Sequence, residues 1–384
     1  ININMRLLSI LLLCFLWSSL AFPQNNTVSD STQIDTDPFR IVSTDFKDKR
    51  ETIVEIHNMP RVRSQDSLPL CYAFSAATIA QKKACDADDD TFQDRSDPNF
   101  CSKIPPLSAK EISPFSMMAW AKAPIGGGDG ASALDNSHRT FSFIPESCLP
   151  FDQIANNITN KDPKAIDKLM TEIDRLYNKN RIENENKKRE EVERRGATEA
   201  GVAICESCSV DNALVRQIND GFGIVASVPT VFEALEKETF SEFLYSVMLG
   251  KQALLPKCKK TGFIPFPRPK FDEYPKRETN AKKRDLLPKI IEVLKTKNPI
   301  QVGGVCLQKD LNTGGCKISH AIVVSGHKQV CNPLNQCRDL VKVHNSWGAE
   351  WQRKYNNGWV DAQTMIENID DSPALVRGTL SWLL

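Results

Sequence analysis

Three residues that lie far apart in the sequence have the types that thiol-based nucleophilic catalysis needs. Cys71 opens an apolar stretch, His320 enters a β-like run and Asn345 leaves another. A thiol is a useful nucleophile only as the thiolate, and both a helix N-terminus and a protonated imidazole lower its pKa. The Asn345 amide oxygen is a suitable acceptor for the second imidazole nitrogen. The three residues therefore predict a cysteine nucleophile that is activated by a histidine.

Two further side chains extend this candidate site. Gln65 lies six residues before Cys71, so its amide and the Cys71 backbone N–H could together stabilise a developing oxyanion. Trp347 follows Asn345 by two residues, where it could shield the bond between asparagine and histidine from water. Cys71 on its own would more often be a structural thiol or half of a disulfide. The presence of the other residues in this order favours catalysis.

The surrounding sequence indicates the elements that position these residues. Small and apolar residues cover most of the circumference of the stretch 70–83, which predicts a buried helix that begins near Cys71. Towards the C-terminus, short β-like runs are separated by Gly, Pro and Asn. These runs are 300–305, 321–325 and 340–344. We therefore expect the nucleophile on a helix and its partners on strands.

A charged region separates these two parts. Residues 161–195 have apolar residues at helical spacing followed by a mixed-charge run, which predicts a long, largely solvated helix. Further helical patterns cover 231–249 and 286–295. The chain thus divides into a helical part with the nucleophile, a charged, mainly helical insertion and a β-rich part with the histidine and asparagine. These parts are 46–152, 153–285 and 286–384.

Short blocks in this order resemble the papain-like cysteine peptidases. The blocks are Gln65-x5-Cys71-Tyr72-Ala73-Phe74-Ser75-Ala76, Leu107-Ser108-x-x-Glu111, Gly127-Gly128 with Ser132-Ala133-Leu134, Glu146-Ser147-Cys148-Leu149-Pro150-Phe151, Ser319-His320-Ala321-Ile322, Asn345-Ser346-Trp347-Gly348 and Gly358-Trp359-Val360. They fall within 45–152 and 286–370. A single block would be weak, whereas the ordered set is specific.

The resemblance implies an α+β fold in which a helical subdomain faces a β-barrel-like subdomain, with the active site in the cleft between them. It implies a peptide or protein substrate, an acyl-thioester intermediate and no metal or organic cofactor. The implied roles are nucleophile for Cys71, general base and acid for His320, orientation for Asn345, oxyanion donor for Gln65, and substrate binding for Gly127, Gly128 and Trp347.

The chain also departs from the family pattern. The nucleophile and the histidine are normally about 130–150 residues apart, and here an excess of about 100 residues is accounted for by the insertion at 153–285. Pro69 replaces a glycine beside the oxyanion site. Two alternatives therefore stay open: a weak or inactive papain-fold binding protein, and a disulfide-rich module whose insertion is the functional part. A further hypothesis is that the insertion covers the cleft and inhibits the enzyme, as a protein inhibitor would.

Composition and the N-terminal segment indicate a secreted globular protein. The chain has 384 residues, 41% hydrophobic and 25% charged, with a formal net charge of +1. This balance excludes a disordered chain. A net charge near zero also gives no strong overall electrostatic field that would attract nucleic acid. Residues 1–21 read as a signal peptide followed by a polar leader at 22–45. The alternative, a membrane anchor, needs a longer apolar run, so we expect an extracellular or periplasmic protein without a membrane span.

The cysteines fit an oxidising compartment. Of the 12, Cys14 leaves with the signal peptide and Cys71 must stay free, so that ten remain for at most five disulfides. The local pairs Cys306–Cys316 and Cys331–Cys337 are expected. Cys205 and Cys208 are expected in two separate structural disulfides. The alternatives for them are a redox pair and half of a zinc site.

Overall fold

The computed structural model describes residues 37–65, 68–87, 97–118, 129–137, 142–152, 155, 165–195, 205–249, 264–265, 269–276, 281–310, 314–370 and 378–384.

An antiparallel sheet carries one half of the candidate site. The strands are β1 (Lys47–Asp48), β2 (Val54–Glu55), β3 (Ser142–Phe143), β4 (Ile264–Pro265), β5 (Phe271–Tyr274), β6 (Ile300–Lys309), β7 (Cys316–Cys331), β8 (Cys337–His344), β9 (Trp359–Asp361) and β10 (Leu380–Leu383).

The strand order brings the histidine and the asparagine together. The main sheet has the order β5-β10-β6-β7-β8-β9, with β1 and β2 paired to β7, while β3 and β4 form a separate pair. His344, the residue before Asn345, is paired with Val323 of β7. Since His320 lies three residues earlier on β7, the end of β8 delivers Asn345 beside it. The three β-like runs predicted from the sequence are confirmed within β6, β7 and β8.

The helices hold the nucleophile and most of the insertion. They are α1 (Cys71–Asp86), α2 (Pro114–Met118), α3 (Gly130–Ser137), α4 (Ala165–Arg195), α5 (Asn212–Phe222), α6 (Val228–Ala234), α7 (Phe240–Leu249), α8 (Leu286–Lys295), α9 (Gly348–Lys354) and α10 (Ala362–Glu367). The predicted start of a helix near Cys71 is confirmed. In the described parts of the chain, every helix is too short or too polar to cross a membrane.

The insertion helices share a hydrophobic core with α1. This core contains buried residues of α1, α2, α3 and of α4 to α7. Phe115 of α2 meets Phe222 of α5 edge to face at 6.2 Å between ring centroids. The ring centroid of Tyr177 in α4 lies 4.7 Å from that of Phe243 in α7. The described part of the insertion is therefore packed as a continuation of the helical part that carries the nucleophile.

Helix α4 is long and largely exposed, as its charge pattern predicts, and has ion pairs three and four residues apart, but one side of it is buried. Asn180, Asn184 and Glu191 are all buried on one side of it. They accept hydrogen bonds from backbone N–H groups in the segment 206–211 at 2.7–3.2 Å. Amide and carboxylate side chains can satisfy backbone groups that would otherwise be buried without partners. This buried polar side of α4 thus fixes the following segment, while most of the charged residues of the helix remain exposed.

Four disulfides lie within the described residues, namely Cys85–Cys101, Cys205–Cys208, Cys306–Cys316 and Cys331–Cys337. The two expected local pairs of the β-rich part are confirmed. The expectation of separate disulfides for Cys205 and Cys208 is wrong, because these cysteines are bonded to each other. Their Cα atoms lie 5.3 Å apart. Cys148 is disulfide-bonded as well.

The segment that follows residue 36 belongs to the folded part. The predicted signal peptide at 1–21 and most of the predicted leader lie outside the described residues. Phe39, however, is 1% exposed within the core that β6, β7 and β8 share with α8. The backbone O of Arg40 accepts a hydrogen bond from Asp361 N at 2.9 Å. The composition places the end of the leader at residue 45, whereas the structure has the packed chain beginning before Phe39.

Candidate active site

Cys71 occupies the first position of helix α1. Leu70 is the N-cap, without a side-chain cap, and its carbonyl accepts from Ala73 N at 2.9 Å and Phe74 N at 3.0 Å. The first N–H groups of a helix have no partner within the helix, and the helix dipole places partial positive charge there. Cys71 is a free cysteine and is partly exposed. It is therefore placed where a thiolate, and an oxyanion beside it, would be stabilised.

The surroundings of the Cys71 thiol have opposing effects on its pKa. Burial raises the pKa of Cys71 above its ordinary value, and this is the larger effect. Backbone hydrogen bonds of Ala321, Tyr72 and Cys71 itself lower the pKa in opposition. Ala321 is the residue directly after His320 on β7. The thiol therefore lies against the strand that carries the predicted base.

His320 and Asn345 are joined by a hydrogen bond. Nε2 of His320 lies 2.8 Å from Oδ1 of Asn345, and both side chains are buried. Since an amide oxygen only accepts, Nε2 must carry the proton in this contact. The remaining nitrogen, Nδ1, is then the one that can accept a proton from a thiol. The predicted orienting role of Asn345 rests on this geometry.

The pKa of His320 is lowered to about 4, chiefly by burial, and the Asn345 bond raises it in opposition. Neutral imidazole is therefore the resting form near neutral pH. The sequence argument expected a protonated imidazole to lower the pKa of the thiol. Burial of both groups instead favours an uncharged thiol and an uncharged imidazole.

Trp347 covers one face of the imidazole. Its ring lies 4.5 Å from the His320 ring, with 21° between the planes. The stacked indole covers a face of the imidazole whose Nε2 bonds Asn345, and shielding of that bond from water stays a prediction. The resemblance also implies substrate binding by Trp347. In this structure the described contacts of the indole are with His320, Phe39 and Trp351.

Gln65 is buried beside the nucleophile loop and already has partners. Nε2 of Gln65 donates to the Leu68 carbonyl at 2.6 Å, and Oε1 accepts from Ser346 Oγ at 2.5 Å. The Leu68 carbonyl also accepts from Leu70 N at 2.8 Å, across the turn that contains Pro69. A primary amide has two hydrogens, so the bond to Leu68 uses one of them. The second is the hydrogen that an oxyanion role would require.

The Gln65 segment is bound to the segment that follows Asn345. Gln65 N donates to Ser346 O at 2.8 Å, and Gly348 N donates to Arg63 O at 3.1 Å. Gly348 has φ of +83°, a conformation that glycine adopts without the steric cost of a Cβ. The oxyanion candidate and the histidine's partner are therefore held in fixed register with each other.

A buried cluster of charged side chains lies next to the Gln65 segment, and the sequence pattern did not predict it. Arg63 is buried, donates to Ile112 O at 2.8 Å and lies 3.6 Å from Glu146 and 3.9 Å from Glu111. Glu111 also accepts from Arg61 Nε at 2.8 Å. Burial raises the pKa of Glu146 to about 7, against the opposing charge of Arg63. Both glutamates lie in the family-like blocks, but the role of Arg63 had no sequence signal beyond its charge.

Two of the predicted site residues lie outside the part of the chain that the structure describes. Gly127 and Gly128, the predicted substrate-binding glycines, lie outside the described residues. Among the residues that the structure describes, no three His, Cys, Asp or Glu side chains cluster in a way that could hold a metal ion. The structure thus brings His320 and Asn345 together, stacks Trp347 on the histidine, and places the Cys71 thiol against the backbone of Ala321, the next residue of β7. In comparisons with known proteins, no family model, no curated protein and no solved structure matches this chain.

Proposed function

We propose that the chain is a papain-like cysteine peptidase that hydrolyses peptide bonds through Cys71, His320 and Asn345. The observation that carries the proposal is the 2.8 Å contact of His320 Nε2 with Asn345 Oδ1, which leaves Nδ1 for a thiol at a helix N-terminus. The mixed α+β fold, with a helical part that carries the nucleophile and an antiparallel sheet that carries the base, is compatible with the two-subdomain papain-like architecture.

In the proposed reaction Cys71 Sγ attacks the carbonyl carbon of a peptide bond while its proton passes to Nδ1 of His320. The oxyanion that forms lies at the N-terminus of α1, where backbone N–H groups and Gln65 support it. The C–N bond then breaks, and His320 gives the proton to the leaving amine. Water attacks the thioester and loses a proton to His320, which returns it to Cys71 as the carboxylic acid leaves.

We further propose that the protein is secreted, because the N-terminal segment has the pattern of a signal peptide and disulfides persist in oxidising compartments. The substrate class follows from the chemistry as a peptide or protein. An inactive papain-fold binding protein is the second candidate. It is favoured by the bond from Gln65 to Leu68 O at 2.6 Å, which draws one amide hydrogen away from the oxyanion.

The test is labelling of the folded protein with a thiol-directed alkylating agent, mapped by mass spectrometry, together with turnover of a mixed peptide library. Stoichiometric labelling at Cys71 is expected, abolished in Cys71→Ala and slowed at least about tenfold in His320→Ala. His327→Ala is the matched control, since His327 is also buried on β7 and bonded to Asp339 at 2.8 Å. Labelling without turnover would favour the binding protein, and absence of both would refute the peptidase.

A further inference from the structure

Phe39 stands at the centre of an aromatic cluster that encloses the predicted base. It is 1% exposed, and its ring meets His320 edge to face at 6.5 Å and 83°. It meets Trp347 at 5.8 Å and 88°, and Trp351 at 5.2 Å and 84°, in the same manner. A fourth ring, Tyr355, lies at 6.3 Å. Edge-to-face pairs are favourable and geometrically specific, so one side chain fixes the positions of several rings.

The segment that delivers Phe39 is fastened on both sides of it. Phe39 N donates to Asp37 Oδ1 at 2.9 Å, and the other carboxylate oxygen of Asp37 accepts from Tyr355 OH at 3.2 Å. Arg40 O accepts from Asp361 N of β9 at 2.9 Å. Further along, β1 pairs with the end of β7. These bonds tie the segment to the same sheet that carries His320.

Phe39 and Trp347, together with Asn345, restrict both the orientation of the His320 ring and its access to water. Trp347 stacks on a face of the imidazole, Phe39 approaches from the side, and Nε2 is taken by Asn345. The ring can therefore neither tilt away from Asn345 nor be reached by water along these directions. These three neighbours are uncharged, and Asp37, the carboxylate of the segment, is engaged by Tyr355.

We propose that Phe39 is a positioning residue that holds His320 on Asn345 and keeps water from it, so that the segment 37–46 is an integral part of the catalytic site. This inference rests on the proposed peptidase function for its catalytic meaning.

The test compares Phe39→Ala with Phe39→Leu and with Phe243→Ala. Phe243 is also fully buried and lies against an aromatic ring, but in the helical part on α7. It therefore controls for general loss of packing. The measurements are the imidazole NMR signals of protein labelled with ¹⁵N-histidine, with His320 assigned by His320→Gln, and kcat/KM for a peptide substrate. The NMR signals report the tautomer and titration of His320 whether or not the protein is an active peptidase.

In Phe39→Ala we expect the His320 titration to move from acidic pH towards the ordinary histidine value of about 6.5, and the Nε2–H tautomer to lose population. We expect kcat/KM to fall about 100-fold, mainly in kcat, as for a misplaced catalytic group. Phe39→Leu keeps apolar volume and should lie between Phe39→Ala and the wild type. Phe243→Ala should lower the melting temperature and leave the His320 signals unchanged.

The outcomes separate this inference from the proposed function. Wild-type His320 signals in folded Phe39→Ala would overturn it, as would equal shifts in Phe243→Ala. If Phe39→Ala does not fold, Phe39→Leu decides in the same way, and wild-type titration in that variant overturns the inference. A wild type that neither labels nor turns over peptides refutes the peptidase, while a shifted His320 in Phe39→Ala would still support the positioning role.

Discussion

Burial acts in opposite directions on the pKa values of Cys71 and His320. It raises the pKa of the thiol and lowers that of the imidazole to about 4. Both effects favour the uncharged forms, so in the resting protein the Cys71 thiol and the His320 imidazole are neutral. In the proposed reaction, attack then requires proton transfer from Sγ to Nδ1 in the transition state, so activation depends on the alignment of His320.

The acid limb of the pH profile checks this arrangement. His320 can accept a proton only when it is neutral, so kcat/KM should fall as the pH drops through about 4 and should not depend on His320 between about pH 5 and 7. Steady-state kinetics on a neutral peptide measure it, with the rate of Cys71 alkylation over the same range as a second probe. An acid limb near the ordinary histidine pKa of about 6.5 would contradict the burial argument.

At the scale of elements, the candidate site is built where the start of a helix, one strand, the end of a second strand and one extended segment meet. α1 presents Cys71, β7 presents His320, and the end of β8 presents Asn345. The segment 63–65 then bonds to the residues after Asn345. Beneath it the cluster of Arg63, Glu111 and Glu146 joins this segment to the loops before α2 and after β3. The register of the site thus depends on buried charges as well as on the sheet.

These elements divide into those that local pattern predicts and those that it does not. The start of α1 and the cores of β6, β7 and β8 follow from spacing that repeats within each element. The Cys205–Cys208 bond was predicted wrongly because sequence alone does not fix which cysteines pair. Arg63 and Phe39 were not identified, since their burial is created by partners far away in the sequence. The features that were not predicted depend on long-range contacts, which produce no periodic pattern in the sequence.

The charge cluster gives a prediction for stability. The pKa of Glu146 is raised from 4.5 to about 7 in the folded protein, so the folded state binds this proton more tightly than the unfolded state. That contribution is complete below pH 4.5 and is lost as the pH rises through about 7. Glu146→Gln cannot ionise and keeps an acceptor for Phe151 N. Between about pH 5 and 8 the wild type should therefore lose about 2–3 kcal/mol relative to this variant.

Urea unfolding at the two pH values measures this difference. Glu111→Gln is the matched control from the same cluster. It weakens the 2.8 Å bond to Arg61 and should lower stability at both pH values, since charge-assisted bonds are worth more than neutral ones. Parallel stability curves for the wild type and Glu146→Gln across this range would show that the carboxyl stays ionised beside Arg63.

At the scale of the whole molecule, the described insertion helices are part of the scaffold of the nucleophile. α4 to α7 share one core with α1 and α2, so deleting the insertion would expose the apolar surface on which α1 rests. A deletion is therefore a poor test of whether the insertion covers the cleft. Point substitutions within this shared core ask the more basic question, whether insertion and nucleophile helix unfold together.

Phe222→Ala is the informative substitution. Phe222 of α5 is 1% exposed and meets Phe115 of α2, so its loss should cost about 3–5 kcal/mol of the free energy of unfolding. Val225→Ala, three residues further and 65% exposed, should change stability by less than about 0.5 kcal/mol. Urea titrations followed both by far-UV circular dichroism and by protection of the α1 backbone amides from hydrogen exchange should give coincident midpoints, both lowered by Phe222→Ala. If the helical signal were lost first while the α1 amides stayed protected, the insertion would be an independent domain, and a cover over the cleft would again be a tenable role for it.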